Sequence, residues 1–223
     1  MSELDGPRVA PAAGGTARQL VVLCHGVGAD GYDLIDLARV FAPALPHAAF
    51  VAPHAPFPYD QHPEGGGRQW FSVADRTPAV MEAGIRVAHP MLAAFIAAEL
   101  ARLSLPQTSL ALFGFSQGAM MALFTGLRLS PAPAAILAFS GALLAPEALA
   151  AEKRNAAPVL LVHGEEDDVV PPVRSHEAEA ALLAAQVPVE SFFVDGLGHG
   201  IDEAGLAVAS LFLQRAFVGQ PLA

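Results

Sequence analysis

Cysteine is almost missing: Cys24 is the single one in 223 residues. That excludes an intrachain disulfide framework. Cationic residues are scarce as well. Twelve Lys and Arg stand against 22 Asp and Glu, a formal net charge of −10, and no Lys/Arg cluster stands out. The balance argues against nucleic acid or an anionic membrane surface as a partner. The longest apolar stretch noted, Ala132 to Ala145, is broken by Pro133, Ser140 and Gly141. It falls short of the ~20 residues of a membrane span. The opening MSELDGPRVAPAAGGTAR lacks the apolar core of a secretory signal. These absences lead to the expectation of a soluble cytoplasmic protein without stable membrane insertion.

What is present is apolar. Hydrophobic residues make up 53% of the chain and charged residues 15%, enough to bury a large core. Residues 1–18 read as a loose N-terminal leader and residues 19–223 as one domain. Short runs rich in Val, Leu, Ile and Phe recur at Gln19–Cys24, Ala48–Ala52, Ser109–Phe115, Ala134–Phe139, Val159–His163 and Val189–Val194. Most are continuously apolar, as in strands buried on both faces of a parallel sheet. Helical spacing falls between them, at Tyr32–Phe41, Ala79–Leu103, Gln117–Leu129, Ser175–Ala185 and Asp202–Phe217. Thr77 and Pro78 fit the N-cap and first position of the second helix, and Pro90 predicts a kink or break inside it. The alternation predicts a three-layer α/β/α sandwich with a mostly parallel central sheet. The irregular stretch Pro53–Thr77, which holds the only Trp, Trp70, is long enough to be functional.

Between the run ending at Phe115 and the helix-like Gln117–Leu129 lies Gly114-Phe115-Ser116-Gln117-Gly118. Gly-x-Ser-x-Gly at a strand-to-helix turn is a nucleophile elbow. The glycines are needed because a Cβ at either position would strike the neighbouring strand or helix. Taken alone, the serine could simply cap the following helix. A serine nucleophile needs a base and an orienting acid. After Val159–Val162 comes His163-Gly164-Glu165-Glu166-Asp167-Asp168, which offers Asp167 or Asp168. After Val189–Val194 comes Gly196-Leu197-Gly198-His199-Gly200. The chain order Ser116, Asp167 or Asp168, His199 is that of α/β-hydrolases. After Leu20–Cys24, the turn His25-Gly26-Val27-Gly28 can aim N–H groups at an oxyanion, with the N–H of Gln117 as second donor.

These segments together resemble the phospholipase/carboxylesterase family, which includes the acyl-protein thioesterases. The resemblance runs from about Leu20 to Phe217. LCHGVGADG is similar to the family's oxyanion segment. PHAP at Pro53–Pro56 with the later Trp70-Phe71 is similar to its PxAP…W[FY] segment. GFSQGA is its elbow, HGEEDDVVP resembles HGDxDxxVP, and GLGH resembles its histidine turn. The resemblance implies the α/β-hydrolase fold. It selects Asp167, four residues after the histidine of HG, as the acid, although Asp168 stands where the family often has proline and Glu165 where it usually has Asp. It also makes Val27 and Gln117 the oxyanion donors.

The expected chemistry is carboxylesterase hydrolysis through an acyl-enzyme on short- to medium-chain acyl esters, without metal or cofactor. A lysophospholipase or acyl-protein thioesterase using the same triad is the alternative. Trp70 and Phe71 are expected as apolar walls for the acyl group, with a core anchor as the other reading of Trp70. Two rival classes are a metal-dependent hydrolase, which lacks H-E-x-x-H spacing here, and a non-catalytic hydrolase-fold binding protein. The partner expected is a small-molecule ester or thioester, and apolar surface near an acyl groove would be compatible with a homodimer.

Overall fold

The computed structural model describes residues 4–218. Its main sheet collects seven strands. In chain order the sequence gives β1 (Arg8–Val9), β2 (Gln19–Cys24), α1 (Gly31–Leu34), α2 (Leu37–Phe41), β3 (Ala48–Val51), β4 (Phe57–Pro58) and β5 (Arg68–Gln69). Then follow α3 (Pro78–Leu103), β6 (Leu110–Phe115), α4 (Gln117–Gly126), β7 (Ala135–Phe139) and α5 (Leu149–Glu152). The chain closes with β8 (Val159–Gly164), α6 (Val173–Ala184), β9 (Val189–Val194) and α7 (Glu203–Val218). The strand order is β1-β3-β2-β6-β7-β8-β9. Every pairing is parallel except β1 with β3. The short hairpin β4–β5 stands apart.

Continuous apolarity in the strands has the expected cause. Side chains alternate across a strand, so a strand covered on both faces needs apolar residues at every position. Leu20, Val22 and Cys24 of β2 enter one core with Ile85 and Leu92 of α3, Met121 of α4 and Leu182 of α6. Val21 and Leu23 enter the other, with Phe41 of α2 and Phe212 of α7. The sheet is thus the middle layer of three, in an α/β-hydrolase arrangement. Parallel strands also bring their carboxyl ends to one edge. Cys24 lies beside Gly114, Phe115 beside Phe139, and Gly164 beside Val194.

Three sequence expectations need adjusting. Arg8–Val9, inside the stretch read as a leader, pairs with Phe50–Val51. Tyr32–Phe41 is two short helices rather than one. Helix α3 does not break at Pro90 and runs 26 residues. Pro90 faces outward, while Ile85, Ala88, Leu92 and Phe95 hold the helix on the core on either side of it. Among the described residues, α3 is the one helix long and apolar enough to cross a membrane by length and composition; here it is a layer helix with a third of its most apolar window buried.

Candidate active site

Ser116 sits between β6 and α4 with φ 55° and ψ −119°, in the region that L-residues with a Cβ rarely enter. The surroundings hold that strain. The Ser116 N–H donates to the Phe139 carbonyl at 2.8 Å, and its own carbonyl accepts from Ala119 and Met120 at 3.0 and 3.2 Å. Both flanking glycines are sterically required. A Cβ on Gly114 would run into the Gly118 carbonyl, and one on Gly118 into the Cys24 carbonyl.

His199, in the turn after β9, places Nε2 3.0 Å from Ser116 Oγ and Nδ1 2.7 Å from Asp167 Oδ2. The carboxylate can only accept, so Nδ1 carries the proton and Nε2 is free to accept from the serine. The Asp167 carboxylate is wholly buried. Its Oδ1 accepts the N–H groups of Val169 and Val170 at 2.9 and 2.8 Å. Burial raises its pKa, but the hydrogen bonds from His199, Val170 and Val169 outweigh this and hold it below the usual carboxylate range. Asp168 points to solvent. The geometry thus separates two acids that the residue pattern alone left open. The Phe115 ring flanks the imidazole, 4.9 Å from it centre to centre.

The loop after β2 packs against the elbow: a Cβ on Gly26 would sit 3.3 Å from Ser116 Cβ. Among the described residues, neither the Val27 nor the Gln117 N–H donates to a protein acceptor. His25 braces this loop from within. Its Nε2 accepts the Ala55 N–H at 3.0 Å, so its Nδ1–H donates to the Gly26 carbonyl at 2.7 Å. Burial pushes its pKa down to about 4, only partly countered by the Gly26 bond.

Trp70 is fully buried, and its indole N–H donates to the His25 carbonyl at 3.0 Å. It has no free face, so of its two readings the anchor matches the geometry and the substrate wall does not. Phe71 is 2% exposed and lines a groove of about 490 Å³ with Phe57, Pro58, Gly84 and Val87; neither Ser116 nor His199 lines that groove. What holds both residues was missed in the sequence. The Gln117 side chain accepts the Trp70 N–H at 2.8 Å and donates to the Phe71 carbonyl at 2.8 Å. Its one signal was a glutamine opening a helix whose only other polar side chain is Thr125. Cys24 is buried, and its thiol is pushed up to about 12, so at neutral pH it is protonated and inert. Among the described residues, no group of three or more His, Cys, Asp or Glu side chains is arranged to hold a metal ion.

An α/β-hydrolase sheet with a strained serine, a histidine and a buried aspartate at one edge defines a class. A profile of the phospholipase/carboxylesterase family matches residues 6–217, and the chain belongs to that family. It is a hydrolase of the esterase type. Its relatives include the esterase YpfH of Escherichia coli (strain K12), 32% identical over 197 residues, covering 86% of this chain and 81% of the relative. Another is acyl-protein thioesterase 1 of Schizosaccharomyces pombe, 30% identical, covering 82% of each chain. Among solved structures, the esterase PE8 is 42% identical with a TM-score of 0.91, covering 96% of this chain and all of that one.

Proposed function

We propose that this chain is a serine carboxylesterase that hydrolyses short- to medium-chain acyl esters through an acyl-enzyme. The observation that supports it is the continuous hydrogen-bonded series Ser116 Oγ, His199 Nε2, His199 Nδ1, Asp167 Oδ2, at 3.0 and 2.7 Å. Ser116 attacks the ester carbonyl as His199 takes its proton. Asp167 holds the imidazole tautomer and stabilises the imidazolium. The oxyanion sits between the Val27 and Gln117 N–H groups, and each such donor contributes about 3 kcal/mol in the transition state. His199 then protonates the leaving alcohol, and water repeats the sequence on the acyl-enzyme. Trp70 acts here by holding the oxyanion loop rather than by touching substrate. We place the enzyme in the cytoplasm as a soluble protein.

The direct test is labelling with a serine-directed fluorophosphonate followed by peptide mapping. The adduct belongs on Ser116, and an adduct elsewhere contradicts the proposal. Turnover of p-nitrophenyl acetate by wild type but not Ser116→Ala separates an enzyme from a hydrolase-fold binding protein. The thioesterase reading draws on the acyl-protein thioesterase relatives. A kcat/KM series over C2 to C16 esters with a matched thioester decides it: a preference for short esters supports the carboxylesterase, and a preference for the long thioester supports the alternative.

A further inference from the structure

A second histidine stands behind the proposed triad, on the far side of its acid. The His163 side chain, on the penultimate residue of β8, is wholly buried. Its Nε2 lies 2.8 Å from the Val170 carbonyl and 3.1 Å from Asp167 Oδ2. Neither of those oxygens can donate, so Nε2 carries the proton. Its Nδ1 lies 2.6 Å from the Ser175 hydroxyl, which can donate to it. The ring therefore spans from α6 to the loop that bears Asp167.

We infer that His163 is a positioning residue for the acid of the triad, closing the loop 164–170 around Asp167 with its Nε2–H and fixed in that tautomer by Ser175. The inference rests on the triad proposed above. The loop closes in a ring of contacts. His163 Nε2–H holds the Val170 carbonyl, the Val170 N–H holds Asp167 Oδ1 at 2.8 Å, and the positive edge of the imidazole lies against Oδ2. A buried carboxylate needs this many partners to stay ionised and fixed. Only Oδ2 is left to face His199, so the direction of the His199 Nδ1–H bond follows from the placement of the loop.

The test compares His163→Phe, which keeps the ring volume and loses both nitrogens, with His163→Gln, which restores an N–H donor. Thermal melts establish that each is folded. Partners one step behind a metal ligand typically contribute about 10- to 100-fold to activity, and His163 stands in the same relation to the proposed triad acid. The expectation is a kcat lower by about that factor in His163→Phe, with KM within about twofold, and partial recovery in His163→Gln. The far-downfield proton resonance of the His199–Asp167 hydrogen bond should shift or broaden in His163→Phe. A folded His163→Phe with wild-type kcat and an unmoved resonance overturns the inference. If His163→Phe does not fold, Ser175→Ala decides: loss of the anchor should lower kcat and shift the same resonance, and an unchanged kcat and resonance overturn it. Asp167→Asn run in parallel keeps the two levels apart. Retained activity there removes the triad itself, whereas an inactive Asp167→Asn beside unaffected His163 and Ser175 variants removes only the role of His163.

Discussion

At the scale of single residues, two adjacent acids make the sharpest contrast. Asp167 is buried and accepts from His199 and two backbone amides, while Asp168 faces water. Asp167→Asn should lower kcat by about 10⁴, the loss expected when the orienting acid no longer fixes the tautomer. Asp168→Asn should leave steady-state kinetics within about twofold, and equal losses in both would contradict the assignment. His25 carries a prediction about pH. Its folded pKa is pushed down to about 4, against an ordinary value near 6.5. Between those values the unfolded chain binds a proton that the folded chain refuses. The stabilisation is therefore full above about pH 6.5 and is lost as pH falls towards 4, by at most about 3 kcal/mol. Denaturant unfolding of wild type and His25→Asn across that window checks it, and the wild type should show the steeper decline. Gln117 offers a third. Gln117→Leu keeps the backbone N–H of the proposed oxyanion site but leaves the Trp70 backbone N–H and the Phe71 carbonyl unpaired in a buried place. Each orphaned group costs about 1–3 kcal/mol, so the melting temperature should fall clearly while fluorophosphonate still labels Ser116. The serine, the histidine and a pair of candidate acids were legible in the sequence because each lies within a few residues after the end of a strand-like run. The Gln117 amide was not, because its partners lie 46 and 47 positions away and are backbone atoms, which leave no trace in residue type.

At the scale of elements, α3 shows how a local defect is carried inside a continuous helix. Pro90 removes one helical hydrogen bond and crowds the preceding turn, a defect of about 3 kcal/mol in a helix interior. The helix nevertheless continues, because Ile85, Ala88, Leu92 and Phe95 anchor it to the core on both sides. The defect is therefore still present in the folded protein. Pro90→Ala, at an exposed position, should raise stability by about 1–3 kcal/mol in denaturant unfolding. Gly84 in the same helix should behave in the opposite sense. Propensity alone favours Gly84→Ala by about 1 kcal/mol. A Cβ there would meet Phe71 Cβ at 2.8 Å, in a segment tethered to Gln117. The substitution should destabilise despite the better propensity, and a stabilised Gly84→Ala would show that the 53–77 loop yields. The six longer strands of the main sheet were legible because apolar runs mark strands covered on both faces. The strands β1, β4 and β5 were not, because two residues are too few to carry a period.

At the scale of the whole molecule, the first eighteen residues carry the last prediction. Composition separates them, being rich in Gly, Pro and Ala, yet the described part is held by hydrogen bonds that composition cannot show. The Pro7 carbonyl accepts the Ala52 N–H at 3.1 Å, and the Asp5 carbonyl accepts the His54 N–H at 2.8 Å. Arg8 donates through Nε and Nη2 to Glu99 Oε1 at 3.0 and 2.7 Å, and the Glu99 side chain is only 5% exposed. Glu99 lies near the end of α3, so Arg8 links the outermost strand to the longest helix. The segment also reaches towards the site. His54 Nδ1 accepts the Gly31 N–H at 3.1 Å, and the next residue, Ala55, bonds His25. Truncation ahead of Pro11 would remove β1, uncover Glu99 and free one side of the strand-end segment that supports the proposed oxyanion loop. For a chain of this size 1 kcal/mol corresponds to about 2–4 °C, and the lost ion pair and backbone bonds should lower the melting temperature by roughly 5–10 °C. At 25 °C kcat should fall several-fold with KM nearly unchanged, because the loosened part holds the proposed transition-state donors rather than ground-state contacts. A truncated chain with the wild-type melting temperature and kcat would return these residues to the status of a leader outside the domain.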